Sequence, residues 1–208
     1  MVCIYPKDES TDFLFPLYEH LCSMDWEGFH EDTTECCNKQ RMMLAIENAN
    51  NVIFLGHGCS NALYGTPLNG ELTDFISDSN IDMIRAKRLL LLSCRSQEFC
   101  EYYDLKSSIG FGNMPTSIED VRAMREDDVS FPSLESNDIN VYNNAIVRST
   151  IRATKRSSFA NMNNFHSELQ LFINMEIVNC LLEKPCEKYR AVADQLQNHK
   201  NDCCFFKI

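Results

Sequence analysis

Val52-Ile53-Phe54-Leu55-Gly56-His57-Gly58 and, further along, Leu89-Leu90-Leu91-Leu92-Ser93-Cys94 decide how this chain is read. Each holds four aliphatic or aromatic residues in a row, too few for a helix and flanked by polar segments. Such a run reads as a strand buried on both faces of a parallel sheet. Ligands bind at the carboxyl edge of an open α/β sheet, where the strands end. Neighbouring strands ending in His57 and Cys94 bring an imidazole and a thiol together at that edge, the pairing that cysteine-based nucleophilic catalysis needs. Singly, each residue has a plainer explanation, since cysteine is among the most buried residue types and a lone histidine is commonly structural. Together they carry more weight, because each sits just past a buried run. His57 also lies between two glycines, and Ser93 adds little bulk before Cys94.

Working outward, 208 residues with 44 % hydrophobic composition suffice for one good core and are short for two, so a single domain over 1–208 is expected. No stretch approaches the roughly 18 consecutive apolar residues of a membrane helix. The opening Met1-Val2-Cys3-Ile4-Tyr5 lacks a signal peptide's basic start and long apolar region, so a cytoplasmic protein without a membrane partner is expected. A formal charge of -11 repels phosphate backbones and argues against nucleic acid as a partner. The same acidity suits basic substrates, although solubility alone explains it. Eleven cysteines, an odd count without an export signal, read as reduced thiols. No C-x-x-C occurs, and the adjacent pairs Cys36-Cys37 and Cys203-Cys204 suit a tetrahedral site poorly, so neither metal nor cofactor is expected. The tail has Phe205 where a prenylation box needs its cysteine.

Val2 to Tyr5 reads as a first strand stopped by Pro6, followed by the polar loop Lys7 to Thr11 at its carboxyl end. Thr11 or Asp12 is expected to cap a helix through Phe13, Leu14, Leu17, Tyr18 and Leu21, with Pro16 in its first turn. Residues 25–38 are polar and irregular, and Lys39 to Ala49 reads as a helix. After His57, the turn-rich loop Cys59 to Gly70 precedes a helical spacing of Leu72, Phe75, Ile76, Ile81 and Ile84. Gln97 to Tyr103 opens a helix after Cys94, and Ser107 to Gly112 reads as a further strand whose following turn, Asn113 to Ser117, emerges at the same edge. Glu126 to Asp138, acidic and containing Pro132, is expected to be a mobile loop or a partly ordered insertion. The C-terminal third is helix-rich: Ile139 to Lys155, Phe165 to Glu183 with Glu176 off the apolar stripe, and a last helix from Pro185 to near Asn198. The fold class is α/β with a mostly parallel central sheet.

Phe54-Leu55-Gly56-His57-Gly58 followed by Leu91-Leu92-Ser93-Cys94 resembles the signature of caspase-like cysteine peptidases of the caspase-hemoglobinase superfamily. There, an apolar strand ends in His-Gly and a later one in a small residue and Cys. Ile109-Gly110-Phe111-Gly112-Asn113-Met114-Pro115-Thr116-Ser117 resembles the strand after the nucleophile in the bacterial CHAT-type branch, whose following loop lines the pocket for the residue before the scissile bond. The opening Ile4 to Leu14 resembles small bacterial proteins of caspase-like type. The likeness covers about the first 120 residues. Cys94-Arg95-Ser96 departs from the caspase Gln-Ala-Cys-Arg-Gly context, and the interval of 37 residues from His57 to Cys94 is shorter than the caspase interval of about 50, so caspase specificity for Asp does not follow.

The resemblance implies a three-layer α/β/α caspase-like sandwich and a cysteine endopeptidase acting on a protein or peptide substrate. Cys94 attacks the scissile carbonyl as thiolate, and His57 manages the proton that the leaving amine receives. The backbone N–H groups of Gly58 and Cys94 form the oxyanion hole. Asp8, Asp12, Asn113, Glu119 and Asp120 are candidates for the substrate pocket, the carboxylates for Lys or Arg. For Asp12, Glu119 and Asp120 the plainer reading is a favourable place at a helix start. The alternative function is a catalytically silent caspase-like module with a regulatory protein partner. A phosphate-cradling loop built on Gly56, Gly58 and Gly65 ranks last, for want of G-x-G-x-x-G after the first strand and of a P-loop lysine.

Overall fold

The computed structural model describes residues 1–207. Six strands form the central sheet: β1 (Val2–Ile4), β2 (Glu27–Phe29), β3 (Asn51–Leu55), β6 (Arg88–Leu92), β7 (Ser108–Gly110) and β8 (Cys204–Phe206). A two-stranded hairpin, β4 (Leu63–Tyr64) with β5 (Asp74–Ile76), stands apart from it. The sheet order is β2-β1-β3-β6-β7-β8, with every pairing parallel except the last. β3 and β6 pair from Asn51 opposite Arg88 to Leu55 opposite Leu92.

Alternate residues of a strand face opposite sides of a sheet, and here both sides are covered. Cys3, Ile53, Leu55, Leu90, Leu92 and Ile109 pack with α1 (Phe15–Ser23), α6 (Ser136–Arg156), α7 (Met162–Glu183) and α8 (Tyr189–Asp202). Val2, Ile4, Val52, Phe54, Leu89 and Leu91 pack with α2 (Cys36–Asn48), α3 (Asp82–Arg85) and α4 (Ser96–Tyr102). The four leucines of β6 are at most 1 % exposed. Burial of each contributes about 1.5–3 kcal/mol, so this strand ties the two cores together.

Several expectations are corrected. Asp8, not Thr11 or Asp12, is the N-terminal cap: its side chain accepts from the Ser10 N–H at the start of a 3-10 turn (Glu9–Leu14) that leads into α1, with Pro16 at the start of that helix. The helical spacing of Leu72, Phe75 and Ile76 gives way to the β4–β5 hairpin, because Phe75 and Ile76 are both buried and only Asp82–Arg85 is helical beyond them. β2 lies within the segment read as irregular, and β8 within the tail. The strand read as Ser107 to Gly112 is three residues long. The segment read as a mobile loop or partly ordered insertion is helical at both ends, which fits the second reading: α5 (Ile118–Asp127) runs into it and α6 begins at Ser136. Asp138, only 3 % exposed, accepts from the N–H groups of Glu135 and Lys188 and so fixes the start of α6. Glu176, read as off the buried face, is buried and clasped between Arg148 and Arg152 of α6.

Candidate active site

The register that sets Leu55 beside Leu92 also sets the next residues of the two strands side by side, and the Gly56 N–H donates to the Leu92 carbonyl at 3.3 Å. His57 and Cys94 each lie two residues past that last pair. Gly58 packs directly on the Cys94 turn. A Cβ there would come within 2.8 Å of Ser93 Oγ and 3.2 Å of the Cys94 carbonyl oxygen, so glycine is what lets the His57 loop lie against the strand end. Gly56, with φ +154°, takes a backbone conformation that side chains disfavour just before the imidazole.

The imidazole is gripped from the start of the 3-10 turn that follows β1. His57 Nε2 lies 2.7 Å from Ser10 Oγ and 3.2 Å from Asp8 Oδ2, and the Ser10 hydroxyl donates to Asp8 Oδ1 at 2.8 Å. A hydroxyl that gives its proton to a carboxylate can only accept from the ring. Nε2 therefore carries a proton, which leaves Nδ1 as the ring atom that faces away from this pair. Among the described residues, Nδ1 makes no hydrogen bond. The ring is 26 % exposed and Asp8 13 %, so the pair is shielded but reachable.

The thiol is held differently. Cys94 retains some surface as a residue, yet its sulfur is enclosed and donates a long 3.7 Å hydrogen bond to the Met114 carbonyl in the turn after β7. Burial pushes the thiol up to about 11, with the Asp120 charge acting the same way and the Met114 contact opposing it. At such a value the thiolate fraction at pH 7 is about one part in ten thousand. Arg95, next in the chain, has φ 54° and pairs with Glu98. This left-handed residue turns the chain sharply from β6 into α4. Ser96, fully buried, fixes the turn: its hydroxyl reaches the Leu91 and Ser93 carbonyls at 2.6 and 2.8 Å and accepts from the Phe111 N–H at 2.9 Å.

The substrate-pocket candidates separate. Asp8 sits on the imidazole. Asp12 lies exposed on the 3-10 turn, and Asn113 and Glu119 are also exposed. Asp120 is half-buried, accepts from Thr116 and Ser117 in the cap of α5, and bears on Cys94. Ser10, Ser96 and Tyr142 were not singled out from the sequence. Tyr142 is fully buried without a partner for its hydroxyl and is raised well above the ordinary phenol value, chiefly by burial, then by Cys94, Asp202 and Asp120. A short polar run at the carboxyl end of β1 is the signal that points to Ser10. Nothing local marks Tyr142, which comes from α6.

Among the described residues, no group of three or more His, Cys, Asp or Glu side chains is arranged to hold a metal ion, and no helix is long and apolar enough to cross a membrane. All eleven cysteines are free. No protein-family model matches the chain, and no curated protein matches it.

Proposed function

We propose that the chain is a cysteine endopeptidase of caspase-like type in which Cys94 is the nucleophile and His57 the base. The observation that carries this reading is the adjacency of the two strand ends, with the base oriented by Asp8 and Ser10 and the Gly58 backbone lying on the Cys94 turn. Helices on both faces of a mostly parallel sheet suit a three-layer sandwich of that family. In the reaction, His57 Nδ1 accepts the Cys94 proton as sulfur attacks the carbonyl, then returns it to the leaving amine. Asp8 and Ser10 keep Nε2 protonated and the ring in place throughout. The N–H groups of Gly58 and Cys94 meet the negative charge on the former carbonyl oxygen. Sulfur released by water closes the cycle.

The enclosed thiol favours a second reading, a silent module whose cysteine is core. One experiment separates them. Wild type, Cys94→Ala and His57→Ala are incubated with a peptide library drawn from a bacterial proteome, and new N-termini are identified. Cleavage that needs both residues supports the peptidase. Folded wild type giving the same termini as Cys94→Ala supports the module.

A further inference from the structure

The amino ends of β3, β6 and β7 lie side by side at the edge opposite His57 and Cys94. There Asn50, Arg85, Lys87, Arg88, Lys106 and Ser107 line a cavity of about 410 Å³. Four of the residues lining it are cations and none is acidic, in a chain whose formal charge is -11. Two of the four sit in exposed ion pairs, Arg85 Nε with Asp82 at 3.1 Å and Lys106 with Asp104, which solvent screens and which leave both cations able to meet an anion. The other two meet no carboxylate within 4 Å among the described residues. The Lys87 ammonium donates to the Glu47 and Ala49 carbonyls at 3.0 and 2.6 Å, and Arg88 Nη1 donates to Asn51 Oδ1 at 3.2 Å. Lys87 thereby caps the carboxyl end of α2, whose partial negative charge offsets only part of its own. The cavity faces two cations outside any ion pair, Lys87 partly offset by the α2 end and the nearby Glu47 charge, and Arg88.

Hydrogen-bonding capacity is left over as well. Arg88 retains Nε and Nη2. Arg85, whose Nη1 holds the Tyr103 carbonyl at 2.7 Å, retains Nη2, and Lys87 retains one N–H. Ser107 adds a hydroxyl and Asn50 an amide. Planar guanidinium donors beside an ammonium match a phosphate monoester, which carries nearly two negative charges at neutral pH and three acceptor oxygens. The volume falls within the roughly 300–1,000 Å³ of small-molecule sites, leaving room beyond a phosphate group.

We infer that this basic cavity at the amino edge binds a small molecule bearing a phosphate monoester, with Arg88, Arg85 and Lys87 on the phosphate. The site is independent of the peptidase reading. Calorimetric titration of the full chain uses AMP and adenosine as probes, with Arg88→Gln as the variant and Lys155→Gln as a remote control. AMP binds saturably, adenosine does not, and Arg88→Gln weakens AMP at least about 10-fold through the loss of a charge-assisted contact while Lys155→Gln leaves it unchanged. No saturable AMP binding up to about 10 mM overturns the site, as does equal binding of adenosine or an unaltered Arg88→Gln. Should Arg88→Gln fail to fold, amide shift mapping of wild type with AMP decides. Shifts centred on 85–88 and 106–107 uphold the site, and shifts centred elsewhere overturn it.

Discussion

The ends of β3 and β6 begin alike and finish differently. Both are apolar runs that stop at the same level of the sheet, yet His57 meets two polar partners and solvent, whereas Cys94 meets a single carbonyl and the core. The imidazole is held by polar groups, and burial favours the protonated thiol. The environment of a side chain at such an edge is set by what covers each strand end, not by the strands. β1 delivers a charged loop to His57. The turn after β7 lies over Cys94 through Met114.

If the peptidase reading holds, replacing the nucleophile has the largest effect: Cys94→Ala lowers turnover of a cleaved peptide by about 10⁴-fold or more. Residual turnover within 10-fold of wild type, a figure of about 1.4 kcal/mol, excludes Cys94 as nucleophile. The contrast in covering is sharpened by pH. Because burial disfavours thiolate, Cys94 alkylation by iodoacetamide rises about 10-fold per pH unit from pH 7 and levels near pH 11. Asp120→Asn removes a charge that opposes ionisation, so its profile moves to lower pH. A wild-type plateau below pH 8 in mass-spectrometric rate measurements breaks the contrast. The same raised value adds stability that is full below the thiol's ordinary value of 9.0 and fades as pH climbs through about 11.

On the His57 side, Asp8→Ala lowers kcat by about 100-fold, within the range of general-base catalysis, with KM little changed. Asp8→Asn, which keeps one acceptor oxygen for the Ser10 cap, recovers the stability lost in Asp8→Ala but little of the kcat, since an amide cannot accept from both Ser10 and Nε2. Equal kcat in Asp8→Ala and wild type removes Asp8 from the site. The smallest effects come from two buried serines of the Cys94 turn. Ser96→Ala strands the buried Phe111 N–H and costs about 1–3 kcal/mol in denaturant unfolding. Ser93→Ala breaks no hydrogen bond, because Ser93 Oγ has no partner, and changes stability by less than about 0.5 kcal/mol. Matching losses for the two would contradict the assigned network.

Much of the centre was legible, and the margins were not. The β3 and β6 runs betray themselves because a strand covered on both faces must be apolar at every position. Edge strands escape that demand: Glu27-Gly28-Phe29 is only half buried, and Cys204-Phe205-Phe206 follows a helix without a break signal. Phe75 and Ile76 fit a helical spacing as well as a strand, so the hairpin has no distinctive local pattern. Glu176 has a place in the buried face only because two arginines of another helix pair with it, which no pattern within its own helix encodes.

For the site, the sequence alone determined that an imidazole and a thiol each follow a buried strand, since local hydrophobic patterning decides where such strands end. What each meets there comes from the packing of distant segments. Ser10 is 47 positions from His57 and Met114 is 20 from Cys94, so those contacts depend on strand order and register, which no local pattern encodes. Ionisation follows the same division: whether a thiol is charged depends on the solvent and charges around it, and these are supplied by elements distant in the chain.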